Sequence, residues 1–224
     1  MKKYLLLLFP LGLLLLDGCV KDIGSLGVVG ANDGTSANYQ PLTTGSTWTY
    51  RTDYSAAFGF PSIDTTVVTM GSKTLTISNL LYHQAYSYQP QFKSLIDTGY
   101  YGVNNHAYSI MQRLPGSNDG FELLYLKDNL AVGGTWTAST AASQLGNIQL
   151  AGKIVEKGIS KTVAGKAYKN VIHTYLQLST VLYGQNFSFS YDIYIAQDIG
   201  IIRIGLNEAG LALIPEDLIA YNIK

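Results

Sequence analysis

Apolar and polar residues alternate with a period of two through most of this chain, and few folds accommodate that. Phe187, Phe189, Tyr191, Ile193 and Ile195 alternate with Ser188, Ser190, Asp192, Tyr194 and Ala196. Successive side chains of an extended strand point to opposite faces, so the first set lines a core and the second faces outward. Ile172, Leu176, Leu178 and Leu182 oppose His173, Tyr175, Gln177 and Ser179 in the same way. Further strands are read at 47–53, 65–70, 73–78, 82–88, 107–114, 122–127, 148–157, 199–206 and 219–223. Turn chemistry separates them at Met70-Gly71-Ser72, Pro115-Gly116-Ser117-Asn118-Asp119-Gly120, Gly133-Gly134, Ala164-Gly165-Lys166 and Tyr183-Gly184-Gln185. Parallel neighbours need long crossovers, so connections this short predict antiparallel pairing. The expectation is an all-β domain: one strongly curved antiparallel sheet, a half-barrel or open barrel, with at most short helices.

The first residues obey a different rule. Met1, Lys2 and Lys3 precede an apolar run from Leu5 to Leu16 that only Pro10 and Gly12 interrupt. This is shorter than the roughly 20 residues a membrane span requires, and it has the layout of a secretory signal peptide. Leu16-Asp17-Gly18-Cys19 resembles the lipobox of bacterial lipoproteins: an aliphatic residue, a small residue before the cut, then the only cysteine of the chain. Asp17 departs from the small or aliphatic residue that is commoner there. The resemblance implies cleavage after residue 18 and acylation of Cys19, which accounts for a lone thiol in a secreted chain. Each buried methylene contributes about 0.8 kcal/mol, so two or more acyl chains hold a protein on a membrane without a span. Val20, where Gram-negative lipoproteins kept at the inner membrane usually carry Asp, implies the outer membrane. Periplasmic and surface-facing orientations both stay open.

Residues 19–38 are rich in Gly, Ser, Asn and Ala and too poor in apolar residues for a core. They read as a flexible tether spanning on the order of 25 Å. The expected division is therefore a signal peptide at 1–18, a tether at 19–38 and a single β domain at 39–224. Removing the signal peptide leaves 206 of 224 residues, with 13 basic side chains facing 14 acidic ones. That balance gives no clustered basic face and no reason to expect a nucleic-acid partner.

An internal echo marks the β domain. Leu42-Thr43-Thr44-Gly45-Ser46-Thr47-Trp48-Thr49-Tyr50 aligns with Leu130-Ala131-Val132-Gly133-Gly134-Thr135-Trp136-Thr137-Ala138, and both tryptophans of the chain fall at the same place. A glycine turn launching a strand whose Trp plugs the core explains this better than a pair of aromatic binding sites. Two half-sheets are the corresponding architecture. The stretch 39–50 is similar to the opening strand of small outer-membrane lipoproteins, and Tyr194-Ile195-Ala196-Gln197-Asp198-Ile199-Gly200-Ile201-Ile202-Arg203 resembles their late motif. The resemblance implies a half-barrel like that of lipoprotein carriers; lipid binding is not carried over, because no residue here matches a family ligand motif.

His83, His106 and His173 lie far apart and match no metal-ligand spacing, and no nucleophile elbow, phosphate loop or calcium loop occurs. No cofactor and no catalytic residue are expected. The 17 tyrosines offer a hydrogen-bonding aromatic surface, and Trp48, Trp136, Tyr50, Tyr191 and Tyr194 are the candidate structural or ligand-facing aromatics. The function expected is non-catalytic binding in the cell envelope, of an apolar ligand or partner segment on the concave sheet face. A surface component contacting proteins or glycans is the alternative, and a hydrolase with an unrecognised site the weaker one. Cys19→Ser is expected to abolish incorporation of radiolabelled palmitate; a chain still labelled after that change overturns the anchor assignment.

Overall fold

A computed structural model describes residues 38–55, 62–77, 79–90, 94–113, 120–142, 146–182, 185–208 and 214–224. The signal peptide, Leu16, Asp17, Gly18, Cys19 and all but the last residue of the tether lie outside the described residues. Twelve strands form one sheet: β1 (Thr47–Asp53), β2 (Ile63–Ile77), β3 (Leu80–Gln89), β4 (Ser94–Asn104), β5 (Ala107–Arg113), β6 (Gly120–Lys127), β7 (Thr135–Ala142), β8 (Gly146–Val163), β9 (Lys166–Leu182), β10 (Gln185–Ala196), β11 (Gly200–Glu208) and β12 (Ile214–Asn222).

The strand order is β6-β5-β4-β3-β2-β1-β12-β11-β10-β9-β8-β7, and every pairing is antiparallel. Sequence neighbours are therefore sheet neighbours everywhere except between β6 and β7, and the first strand meets the last. The result is a barrel closed but for one unsealed seam, more complete than a half-barrel. Register shifts between Thr49 and Tyr50, Met70 and Thr74, Ser87 and Tyr88, and Tyr194 and Ile195 mark bulges that bend the sheet toward closure.

A round barrel of twelve strands encloses space, whereas one of about eight is just filled by its own side chains. This one is filled because opposite walls meet. Trp48, Tyr50, Val68 and Met70 pack against Val163, Tyr168, Val171, Ala196 and Ile202, while Tyr108, Ile110, Leu123 and Tyr125 pack against Trp136, Ile148, Leu150, Ile154 and Leu176. Fully burying side chains of this size contributes about 1.5–3 kcal/mol each.

The internal echo is a structural repeat. In the first copy the Gly45 amide donates to the Met70 carbonyl at 2.8 Å, Ser46 to Thr43 at 3.1 Å and Met70 to Ser46 at 2.9 Å. In the second, Gly133 donates to Ile154 at 2.8 Å, Gly134 to Ala131 at 2.9 Å and Ile154 to Gly134 at 2.9 Å. Gly45 and Gly133 share φ values of 83° and 86°, a left-handed conformation that favours glycine. Each turn launches the first strand of a six-stranded meander, β1–β6 or β7–β12. Both tryptophans are buried, their indoles donating to main-chain carbonyls: Trp48 to Ile199 at 2.6 Å and Trp136 to Leu124 at 3.1 Å.

Two elements differ from the sequence expectation, and a third, β7, was signalled by the internal echo alone. Met70-Gly71-Ser72 is a bulge inside a single strand and makes no turn, because Gly71 lies flat beneath the Tyr86 ring. β4 is hidden in the sequence by Gly99 and Gly102; Tyr82, directly opposite Gly102, lays its ring over the missing side chain. β7 is short of large apolar residues, and its one anchor, Trp136, rests on Gly152 across the β7–β8 pair. A β-carbon at position 152 would stand 2.1 Å from that ring. Gly152→Ala is therefore expected to destabilise the fold by about 1–3 kcal/mol, as overpacking does, and to lower the thermal midpoint by several degrees in circular dichroism; an unchanged midpoint would show that the indole moves aside freely.

Candidate functional site

Alternation puts one row of side chains from six neighbouring strands on the outer face. Glu156 pairs with His173, His173 with Tyr194, Tyr194 with Arg203, Arg203 with Asp217 and Asp217 with Arg51. Cross-strand neighbours lie about 5 Å apart, close enough for every link to be a contact. His173 Nε2 is 2.7 Å from Asp192 Oδ1 and its Nδ1 is 3.1 Å from Glu156 Oε2. Both ring nitrogens are engaged by carboxylates, so neither faces a nucleophile. The His173 ring also stacks on Tyr194, with centroids 4.1 Å apart and planes 13° from parallel. Lys161 Nζ stands 4.0 Å from the Tyr194 centroid. An ammonium and a stacked imidazole cannot share one face at those distances, so Tyr194 is covered on both.

Arg203 completes the row by a bidentate bond to Asp217, Nε to Oδ1 at 2.5 Å and Nη2 to Oδ2 at 2.9 Å. The planar guanidinium fork matches a carboxylate in this way and is held in one orientation. Beside this row runs a second: Tyr175 pairs with Asp192, Asp192 with Gly205 and Gly205 with Pro215. The row has a gap at Gly205, which contributes no side chain, and a recess of about 480 Å³ opens over it. Asp192, Tyr194, Arg203 and Pro215 form its walls on the sheet, with Asp53 and Ser55 at the end of β1. The Ser55 amide donates to Asp53 Oδ1 at 2.9 Å, and hydrogen bonding to Ser55 holds the Asp53 carboxyl below its ordinary value. Tyr175, 38 % exposed, stands beside Asp192 with its ring open to solvent.

The concave side is different. Its cavity among the described residues is about 50 Å³, room for little more than a water or two. It is lined by the apolar side chains of Val68, Ile110, Ile201 and Ile204, by Tyr50, Thr66, Ser87 and Tyr101, and by Glu216. Glu216 points inward because it lies opposite Thr52 and Ile204 and one step along β12 from the outward Asp217. Enclosure within the barrel, with a smaller contribution from the Asp217 charge, pushes its carboxyl up to about 7.

Among the candidate aromatics, Trp48, Trp136 and Tyr50 are buried, Tyr50 donating to the Ile201 carbonyl at 2.9 Å, and Tyr191 packs against the core. Tyr194 alone belongs to the recess. Arg203, Asp192, His173, Asp217, Asp53 and Glu216 escaped the sequence reading. A signal for some of them was present, since Asp192 is the one charge in β10, Arg203 interrupts an apolar run in β11, and Glu216 and Asp217 stand together as the only charges of β12. Among the described residues no group of three or more His, Cys, Asp or Glu side chains could hold a metal ion.

Comparison with known proteins adds the fold. No protein-family model and no curated protein matches the chain. A candidate lipoprotein from Parabacteroides distasonis superposes with a TM-score of 0.54 at 10% identity, covering 83% of this chain and 99% of its own. A candidate exported protein with a YmcC-like fold from Bacteroides fragilis superposes with a TM-score of 0.51 at 9% identity, over 84% and 100%. The likeness is one of fold. At such identities it carries no residue of the recess with it.

Glu216 has a consequence for stability. The unfolded chain releases this proton near 4.5 and the folded chain near 7, so between those values the folded state binds more protons and stability falls as pH rises. The penalty is absent below pH 4.5 and complete above 7, where it is on the order of 3 kcal/mol. Glu216→Gln is expected to match the parent's thermal midpoint near pH 4.5 and to exceed it by several degrees at pH 8. Equal midpoints at pH 8 would show that the carboxyl ionises without cost.

Proposed function

We propose that this chain is a lipid-anchored protein of the outer membrane with a non-catalytic binding role, and that it takes a glycan on its outer face. The recess at Gly205 carries the proposal. Asp192 and Asp53 offer acceptors for sugar hydroxyls, and Arg203, oriented by Asp217, offers donor N–H groups that the carboxylate leaves free. Tyr175 supplies the exposed aromatic face on which the apolar side of a sugar ring can lie. The concave face is filled by the core, which favours this surface over an apolar ligand held inside the barrel. Engagement of both His173 nitrogens supports a binding role over hydrolysis. Anchoring rests on the lipobox-like segment 16–19, and the names of the two structural neighbours, a candidate lipoprotein and a candidate exported protein, agree with an envelope location.

The test is a glycan array probed with the soluble chain beginning at residue 20, followed by calorimetry on the sugars retained. Tyr175→Ala and Asp192→Asn are each expected to weaken binding about tenfold or more, a loss of about 1.4 kcal/mol. Retention of no glycan, or affinities indifferent to both substitutions, would sink the proposal. Uptake of a fluorescent fatty acid would restore the concave face as the site.

A further inference from the structure

The near balance of charge conceals a division along the barrel. The β8–β9 hairpin, residues 153–170, carries Lys153, Lys157, Lys161, Lys166 and Lys169 against Glu156 alone, which leaves eight basic and 13 acidic residues for the rest of 19–224. β10 stops pairing with β9 at Ala196 and Val171, but β8 and β9 stay paired as far as Val163 and Lys166, so the hairpin runs on past its neighbour. Aromatic rings hold two of its ammonium groups: Lys161 Nζ lies 4.0 Å from the Tyr194 centroid and Lys166 Nζ 4.0 Å from that of Tyr221. Lys127 belongs to the same end of the barrel, since it precedes Asp128, whose carbonyl accepts from Lys157 Nζ at 2.6 Å. So does Lys224, whose amide donates to Ser46 Oγ at the start of β1.

Of the acids there, Asp128 is buried, accepting from the Tyr108 hydroxyl at 2.8 Å and lying 2.6 Å from His106 Nδ1, and Glu156 lies 3.1 Å from His173 Nδ1; Asp198 is exposed. At the opposite end, where β1 finishes, stand Asp53 and Asp64. The chain enters the barrel at the lysine end. The Asn38 carbonyl accepts from the Asp198 amide at 2.6 Å, and the preceding Gln197 accepts at Oε1 from Asn170 Nδ2, at the base of the hairpin, at 3.2 Å. A lipid on Cys19 is therefore joined through residues 20–37 to the end that carries the lysines.

We propose that this end of the barrel lies on the anionic headgroups of the bilayer that holds the anchor, with the β8–β9 lysines against lipid phosphates; this rests on the reading of Cys19 as the anchored residue. Each lysine near an anionic surface strengthens attachment about fivefold, but the attraction fades within a Debye length of about 8 Å, so a patch of five binds weakly by itself. A flexible tether compensates by holding the domain at an effective concentration on the order of millimolar. It also presents the bilayer to this end and to no other, which favours a membrane surface over a soluble polyanion. The recess at Gly205 then has its Asp53 side turned away from the membrane.

The test sediments the soluble chain beginning at residue 20 with vesicles of phosphatidylglycerol or of phosphatidylcholine. Binding is expected on phosphatidylglycerol alone and is expected to fall as salt rises. Lys166→Gln combined with Lys169→Gln is expected to lower the partition constant about 25-fold, fivefold for each charge, with the parent's thermal midpoint kept. Arg51→Gln, on the outer wall beside Asp217, is expected to change it less than about twofold. In the unsubstituted chain, acetylation of Lys166 and Lys169 by an amine reagent is expected to slow when phosphatidylglycerol vesicles are present. Equal partition onto both vesicles, a double variant that binds as the parent does, or tighter retention by soluble polyphosphate than by phosphatidylglycerol at equal phosphate would overturn the proposal. Palmitate labelling of the full chain tests the anchor separately, so a failure of the surface and a failure of the anchor are told apart.

Discussion

The meeting of β1 with β12 is the contact on which the rest of this structure depends. Two six-stranded meanders become one sheet through a single pairing, and it joins residues as far as 175 positions apart, Thr47 with Asn222. That closure brings the two six-stranded halves face to face, so that Trp48 and Tyr50 reach the carbonyls of Ile199 and Ile201. Without it the apolar faces of both halves would stand open to water. The chain end reinforces it, since the Lys224 amide donates to Ser46 Oγ at 3.1 Å. Residues leading into β1 seal the same end of the barrel: Tyr125 donates to the buried Gln40, which sits against Gly200, and Asp198 donates to the Asn38 carbonyl at 2.6 Å. Gly200, with φ of +100°, is needed there both for its conformation and for the space.

Closure also decides which faces are available for binding. Once the halves collapse on each other, large inward side chains leave almost no lumen, and the broad exposed surface is the outer wall. On the outer wall the charged groups are assembled strand by strand: Glu156, His173, Tyr194, Arg203 and Asp217 come from five consecutive strands and touch because their registers align. A one-residue slip at β11 would turn Arg203 into the core and Ile204 outward. The packing that fills the barrel therefore also holds the recess in shape. At the seam, among the described residues, no strand pairs with β7 as β12 pairs with β1, and Trp136 takes up that place with one indole bond to β6.

Period-two alternation, short turns and the absence of long helical patterns are local properties, and they made the antiparallel β class and most strands legible along the chain. The repeat was legible too, because a glycine turn followed by Thr-Trp-Thr needs the same backbone wherever it occurs. β4 was not, since it depends on a residue in another strand, the Tyr82 that covers Gly102, and β7 was legible only through the repeat, because its own residues are small and Gly152 of β8 makes room for its one anchor, Trp136. The turn expected at Gly71 failed for the same reason, a Tyr86 ring that only the folded sheet supplies.

By itself the sequence determined the strand periodicity, the places where a left-handed glycine was needed and the inward or outward sense of most side chains. Each follows from a residue and its immediate neighbours. The tertiary structure decided that the sheet closes between its first and last strands, that the seam lies between β6 and β7, and that residues as distant as Asp53, Asp192 and Arg203 share one recess. Those outcomes depend on register across strands far apart in the chain and on how much volume the inward side chains occupy together. Neither quantity belongs to any one segment.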